Sequence, residues 1–581
     1  MPNRSHTRTL TVNRLTAACP FLCNCARPEY VLLLNATANG LVSEAADIDP
    51  AVLRLLTRRV QVGDLDLEDA PYTNISYAVV DSPAHRALAR QVVRESVVLL
   101  SNGGGSSSGS GRRSDAPSPP LPLHLLPGDA LLIRNLLVVG PSADDPSVQA
   151  HTYHGTPAAW TTVLAGLRAI ADPSVTITVL PGCSRTGSDT SGFPAALAAA
   201  SIADAVVYVG GLQASIEEED TDRGSFELPG VQLELIQALH NATAARLTPV
   251  VAVIVSGGPV SEPRMASANA SRLGWLWVSY FGQDGAGVAD VIAGAYSPSG
   301  RLPFTMPVDT SQVGDITDYD MRGPPFGRTY RYLRYPTSGG EDGFAELDGV
   351  EVNCGASSDC LTGWPSCDNS SVPGQCTFPR GNAVALCAAW PSCQAVTCNG
   401  DRSDCQARSD ATALQGSGTF TSYVRGFASV PLFPFAWGLS YSTALPTALT
   451  VDGGADAAFA FGSTVSLTAH LSASDRPADV VVALFGAFLQ CDGVSASPVP
   501  ALPLRSLLTF AKVAAAVGAP TSVPLSFELS PLRLPGVERQ AFPGFLRVWV
   551  GDGGVCAGCP SVTLRLSQGG TSCIAARGDE L

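Results

Sequence analysis

Between residues 135 and 305, short β-branched apolar runs alternate with stretches of helical spacing, and this rhythm constrains the fold more than any other feature of the chain. It predicts strands at 136–139, 175–180, 205–209, 250–255 and 275–280. Helices are expected between them at 161–169, 193–200, 233–239 and 287–293. Such alternation implies a largely parallel sheet with helices on its faces.

The flanks read differently. Residues 41–65 place Leu41, Val42, Ala51, Val52, Leu55 and Leu56 at helical spacing, with Asp47, Asp49 and Pro50 as start signals. A second helix starts at Ser82 and Pro83 and runs toward the apolar residues 97–100. Residues 103–120, rich in Gly and Ser, form a linker-like insertion. Its glycines lack the Gly-Lys-Ser/Thr of a phosphate loop, and no cofactor is expected. The rhythm stops at 336–428. From about 447, strands at 464–471, 480–484, 522–529 and 545–550 separated by Pro- and Gly-rich turns suggest a β-sandwich. With 581 residues there is room for three or four domains.

A net charge of −15 argues against nucleic acid and anionic membranes as partners, and no stretch approaches the length of a membrane span. Of sixteen cysteines, eight (Cys354, Cys360, Cys367, Cys376, Cys387, Cys393, Cys398 and Cys405) cluster within 52 residues, which reads as a disulfide framework of an oxidising compartment. The seven histidines are scattered and complete no Cys/His ligand set, so no metal is expected. Six Asn-x-Ser/Thr sites fit a secretory or extracellular location, whereas residues 1–30 carry four arginines and no signal-peptide core. The C-terminal Gly578-Asp-Glu-Leu581 is a weak likeness of a retrieval signal.

The chemistry concentrates in the segment from Gly211 to Arg223. It holds five carboxylates in six residues, Glu217, Glu218, Glu219, Asp220 and Asp222, and closes on Arg223. Taken alone, such a run is a solvated acidic loop. Here it follows the strand at 205–209, and the C-terminal end of a parallel strand is where α/β sheets place ligand-binding groups.

Read in order, several segments resemble glycoside hydrolase family 3, in its β-xylosidase and α-L-arabinofuranosidase branch. They are His85-Arg-Ala-Leu-Ala-Arg90 with Glu95-Ser-Val-Val-Leu-Leu100, Val138-Val-Gly-Pro-Ser-Ala-Asp144, Tyr153-His-Gly-Thr-Pro157 and the acidic segment. Leu228-Pro-Gly230, Ser256-Gly-Gly-Pro-Val260, Tyr296-Ser-Pro-Ser-Gly-Arg-Leu-Pro303, Gly327-Arg-Thr-Tyr-Arg331 and Phe433-Pro-Phe-Ala-Trp-Gly-Leu-Ser-Tyr441 follow.

The resemblance implies a multidomain chain. Residues 1–70 would be the end of a (β/α)8 barrel and a linker, and 71–335 an α/β sandwich completed by 430–446. A cysteine-rich insert, faintly similar to PAN/apple modules, would occupy 336–429, followed by a fibronectin-III-like β-sandwich at 447–575. It further implies retaining hydrolysis of xylo- or arabino-oligosaccharides, with Glu217 as acid/base and an aspartate nucleophile on the barrel. Glu219 or Asp222 would raise the pKa of Glu217, and Arg223 would hold one of those two in place. Glu217 is expected at the rim of the sheet; burial inside the sandwich with a basic partner would contradict its role. Gln213 stands where the family has Asp, and Asp220 where it has Gly. The nucleophile's context occurs nowhere in residues 1–66. The chain therefore reads either as a truncated hydrolase or as a non-catalytic carbohydrate-binding or interaction protein.

Overall fold

The computed structural model describes residues 33–64, 74–103, 118–266, 272–313, 315–317, 319, 321 and 328–331. It also describes the strands at 344–352, 395–399, 405–408 and 414–425, then 431–442, 444–454, 458–460, 462–489, 506–529, 545–551 and 559–566. They fall into two compact units that divide between His85 and Arg86. The first contains α1 (Leu33–Ala38) and α2 (Asp49–Gln61). Pro50 sits in the first turn of α2, where its lack of an N–H costs nothing. Val52, Leu55 and Leu56 on this helix are exposed.

The second unit opens with the rest of α3 (Pro83–Ser96) and centres on a six-stranded sheet. Its strands are β1 (Val98–Asn102), β2 (Asn135–Val139), β3 (Thr176–Leu180), β4 (Ala205–Gly211), β5 (Val250–Val255) and β6 (Leu273–Val278). The spatial order is β1-β6-β5-β4-β2-β3, parallel throughout except for β1, which runs antiparallel to β6. Five of the six strands were expected. β1 was not anticipated: the helix from Ser82 was read as running toward the apolar residues 97–100, because a four-residue apolar run carries no period of its own. Register supplies what the sequence did not: Val98 lies opposite Trp277 and Asn102 opposite Gly274.

Every residue of β4, β5 and β6 is buried, as a parallel strand covered on both faces requires. Alternate side chains enter two separate cores. Val206, Tyr208, Val250, Ala252, Ile254, Trp275 and Trp277 join one with α5 (Phe193–Ile202) and α6 (Gln232–Thr243). Val207, Val209, Val251, Val253, Val255, Leu276 and Val278 join the other with α4 (Val163–Ile170) and α7 (Ala286–Ile292). The result is three layers, α/β/α. Phe433 and Trp437 return to the first core and Tyr441 to the second, with Trp437 Nε1 donating to Leu100 O at 2.9 Å.

The strand order fixes where a ligand can bind. From β2 the chain steps outward to β3, then crosses back over β2 to β4. Loops leaving β2 and β4 therefore diverge to opposite faces and open a crevice at the C-terminal edge of the sheet between them.

Further strands follow. β7 (Phe344–Val352), β8 (Ala395–Asn399), β9 (Cys405–Arg408) and β10 (Leu414–Arg425) form a four-stranded sheet in the order β7-β10-β8-β9. In its backbone register Cys398 lies opposite Cys405. The other six clustered cysteines lie outside the described residues, as does the linker at 104–117.

The C-terminal region contributes two more sheets. β11 (Pro446–Val451), β13 (Thr464–Leu471) and β16 (Thr521–Glu528) make one of three strands. β12 (Ala458–Phe459), β14 (Ala478–Leu489), β15 (Ser506–Ala515), β17 (Phe545–Val550) and β18 (Ser561–Leu566) make one of five. They share a core that includes Val465, Leu467, Leu484, Leu525 and Val548. A polar seam joins this region to the central sheet's domain: Lys512 Nζ pairs with Glu95 at 2.5 Å and Asp479 at 3.4 Å, and Tyr296 donates to Asp479 at 2.9 Å. No helix among the described residues is long and apolar enough to cross a membrane.

Candidate active site

The acidic segment leaves β4 through Gly210 and Gly211. At Gly211 φ is +125°, and a Cβ there would stand 2.1 Å from Val255 O, so the close approach of β4 to β5 at this point admits glycine alone. The side chain of Gln232, fully buried at the start of α6, then ties the loop's two ends together. Its Oε1 accepts from Gly211 N–H at 2.8 Å and from Tyr208 OH at 2.9 Å. Its Nε2 donates to Gly211 O at 3.0 Å and Pro229 O at 3.2 Å. A buried amide with its bonds filled is a rigid anchor.

Glu217 stands beyond this anchor at the C-terminal edge of the sheet, its side chain 16% exposed. Its carboxylate collects three donors from three loops. Oε1 accepts from Tyr280 OH at 2.7 Å, after β6, and from Gly257 N–H at 2.6 Å, after β5. Oε2 faces Arg223 Nε at 3.1 Å. Arg223 also donates from Nη2 to Pro259 O at 2.8 Å, which orients its guanidinium. Burial, and then the hydrogen bond to Glu217, push the Tyr280 phenol far above its ordinary range, so Tyr280 is a donor here and not an ionisable base.

The turn after β5 is built for this contact. A Cβ on Gly257 would meet Tyr280 Cε2 at 2.9 Å and Glu217 Oε1 at 3.2 Å. Ser256 fixes the turn, its hydroxyl donating to Gly258 O and accepting from Trp277 Nε1, each at 2.8 Å.

The loop after β2 closes the crevice. The ring of His151 lies 4.6 Å from that of Tyr280, and its Nε2 bonds the main-chain oxygen of Glu217. Two residues on, Tyr153 is 86% exposed with φ +64°, a rare conformation for a bulky side chain. Arg185, after β3, holds Asp145 by an ion pair and Gln213 by a hydrogen bond. Burial pushes Asp145 up, but its bonds from Ser147 and Arg185 outweigh that and hold it below the usual carboxylate range.

Glu217 and Arg223 therefore come together. Arg223 does not hold Glu219 or Asp222, as the sequence had suggested; both are exposed, and the cation goes to Glu217 itself. The reason is the course of the loop. Glu218 and Thr221 pair across a tight turn, each donating its N–H to the other's carbonyl at 3.2 and 2.9 Å, which brings Arg223 back beside Glu217. Asp220 occupies that turn with φ +67°, a left-handed position that suits glycine and that Asp tolerates better than most side chains. Gln213, in place of Asp, is engaged by Arg185 and donates to Ser215 Oγ at 2.5 Å. Tyr280, Gly257 and His151 escaped the sequence reading as partners of Glu217. The available signal was positional: all three follow parallel strands and so project from the same edge. Among the described residues no group of three or more His, Cys, Asp or Glu side chains is placed to hold a metal.

A parallel sheet covered on both faces, with one anchored carboxylate at its switch-point edge, defines a three-layer α/β domain of the kind that places ligand sites at that edge. Residues 118–341 match the model of the glycosyl hydrolase family 3 C-terminal domain. A β-xylosidase/α-L-arabinofuranosidase of Medicago sativa subsp. varia is 34% identical over 324 residues, 54% of this chain and 38% of that protein. A probable exo-1,4-β-xylosidase of Neosartorya fischeri is 33% identical over 324 residues, 55% and 38% of the two chains. The solved structure of a family 3 exo-β-xylosidase in complex with a xylobiose aziridine probe superposes with a TM-score of 0.64 at 20% identity. That match covers 97% of this chain and 59% of the other, and at this identity it speaks for the fold. The chain spans about two fifths of the length of these curated relatives.

Proposed function

We propose that this chain carries the acid/base half of a retaining O-glycosidase active site of β-xylosidase or α-L-arabinofuranosidase type, with Glu217 as the acid/base. Xylo- or arabino-oligosaccharides of plant cell-wall type are the substrates. The observation that carries the reading is the carboxylate of Glu217, held by donors from three loops at the switch-point edge yet still open to solvent. Oε1 already accepts two hydrogen bonds, so the proton given to the leaving oxygen, and later taken from water, moves at Oε2. Arg223 and the exposed Glu219 and Asp222 then line the approach to the sugar. In this reading the aspartate nucleophile stands on a (β/α)8 barrel, about 5 Å from Glu217 in the closed site. Residues 1–70 belong to that barrel's end. Residues 447–575, whose two sheets share one core, serve as a fibronectin-III-like module. The eight cysteines clustered in the sequence between 354 and 405 suit work in the secretory pathway or outside the cell.

The test joins this chain to a complete family barrel. Glu217→Gln is expected to slow unactivated xylosides by about 10²–10⁴-fold and activated aryl xylosides far less, because a good leaving group needs little protonation. Equal loss on both moves the role to Glu219. Residues 1–581 alone are expected to turn over aryl β-xylosides negligibly, and robust turnover would overturn the division between two domains.

The ion pair from Arg223 favours a second reading, in which Glu217 binds sugar hydroxyls without transferring a proton. Oligosaccharide binding that Glu217→Gln abolishes, with no hydrolysis in the joined protein, selects it.

A further inference from the structure

The loop leaving β2 does more than border the crevice. A carbonyl oxygen only accepts, so the contact between His151 Nε2 and Glu217 O places a proton on Nε2, and Nδ1 faces Thr152 Oγ1 at 2.9 Å. The same ring lies against Tyr280, whose hydroxyl donates to Glu217 Oε1. His151 thus touches the glutamate's own backbone and one of its three donors, while its ring nitrogens bond Thr152 and the Glu217 main chain and not the carboxylate.

This loop is itself clamped. Gln149, 1% exposed, donates through Nε2 to Gly282 O at 2.8 Å and Thr161 O at 3.1 Å, and its main-chain oxygen accepts from Gly282 N–H at 2.7 Å. Thr161 N–H donates to Gln283 O at 2.9 Å. The segment bearing His151 and the segment after Tyr280 are therefore zipped together two residues from each of the two rings.

We propose that His151 is a positioning residue for the Glu217 carboxylate. Its Nε2–H holds the Glu217 main chain against the loop after β2, which keeps Oε1 on the N–H of Gly257 and the hydroxyl of Tyr280. The acidic segment is anchored at its base by Gln232, but Glu217 lies six residues beyond Gly211. At the reacting residue itself the main chain is held on one side by its own N–H donating to Gln213 O at 3.2 Å and on the other by the bond from His151 to its carbonyl, which ties it to the loop after β2. The proposal deepens the acid/base reading and rests on it for its catalytic meaning.

The test reads the Gly257 amide in the full chain, because that amide bonds Glu217 Oε1 at 2.6 Å and the His151 ring packs on Tyr280 instead. Labelling the Ser256–Gly257 peptide bond isolates its NMR signal, and Glu217→Ala defines the exchange rate with the bond lost. His151→Phe keeps a ring against Tyr280 but has no N–H, whereas His151→Gln keeps a donor at similar reach without the ring. Amide exchange is expected to rise about tenfold in His151→Phe and His151→Ala and to stay within about twofold of the parent in His151→Gln. Protection unchanged in His151→Phe, or lost equally in His151→Gln, overturns the proposal in favour of simple packing. Should His151→Ala fail to fold, the Phe and Gln pair decides. This exchange measurement does not depend on turnover. A failed Glu217→Gln kinetic test leaves it standing, and a failed exchange test leaves the kinetic result intact.

Discussion

The central sheet and the C-terminal pair of sheets use the same secondary structure to opposite ends. β4, β5 and β6 are buried at every position, whereas β13 and β16 bury every second residue. Two-sided burial leaves a strand no surface on which to carry polar chemistry, so polar groups gather where the strands stop, and parallel strands all stop on one edge. One-sided burial spreads polar groups along the outer face instead. His470, for example, bonds Thr450 and Ser522 across neighbouring strands at 3.2 Å each, far from any converging loops. Convergence at an edge, more than the presence of polar residues, separates the candidate site from a solvated surface.

The contrast can be broken first at the cores. Trp275→Ala, at a position 1% exposed in the central sheet, is expected to cost about 3–5 kcal/mol. Thr468→Ala on the outer face of β13 should stay within about 0.5 kcal/mol of the parent. Urea unfolding of both variants measures the difference, and similar costs would mean that the two sheets are covered alike.

A second pair compares two left-handed glycines. Gly211→Ala meets Val255 O and is expected to cost about 2–3 kcal/mol. Gly454→Ala, at φ +89° with open space around it, should cost about 1 kcal/mol, the price of the backbone conformation alone. Equal losses would show that contact with β5 adds nothing at the root of the acidic segment.

Asp220→Gly sharpens the comparison from the other side. It relieves a left-handed side chain at φ +67° and is expected to stabilise the protein by a few tenths of a kcal/mol up to about 1 kcal/mol. A thermal melt that falls instead would reveal a contact of the Asp220 carboxylate that outweighs its backbone strain.

The smallest effect is on pH dependence. Asp145 has a folded-state pKa below its unfolded one, so it contributes stability at neutral pH that is lost as pH falls through the folded value. Asp145→Asn should flatten this acid limb slightly. In the seam with the C-terminal sheets, burial opposes but the bonds from Lys512 outweigh it, and Glu95 is held low in the same sense. Glu95→Gln should therefore act on the same limb, and a limb unchanged by either substitution would remove both carboxylates from the acid transition.

Much of the central sheet was legible because its strands are apolar runs bounded by turn residues. Residues 250–255 were read to the residue, and the alternation put them in one sheet with residues 205–209, as they are. β15 and β18 were not anticipated, since their burial depends on which sheet lies across from them and not on a local period. At the site, the position of Glu217 after β4 was legible, but its partners were not. Arg223 reaches it through a turn at Asp220, and Tyr280, Gly257 and His151 arrive from three other strands, as far as 66 residues away in sequence. Long-range convergence of this kind is set by strand order, which no local pattern encodes.

The bond from Gly257 to Glu217 has an evolutionary consequence. A partner made of side-chain atoms can be erased by one substitution, as Tyr280 or Arg223 could be. The Gly257 N–H belongs to the peptide backbone, and every residue except proline would keep it. Proline apart, random change at this position therefore acts by adding bulk between Tyr280 and the carboxylate and leaves the donor in place. Descendants that retain the turn inherit one fixed hydrogen-bond donor to the glutamate whatever happens to the other two.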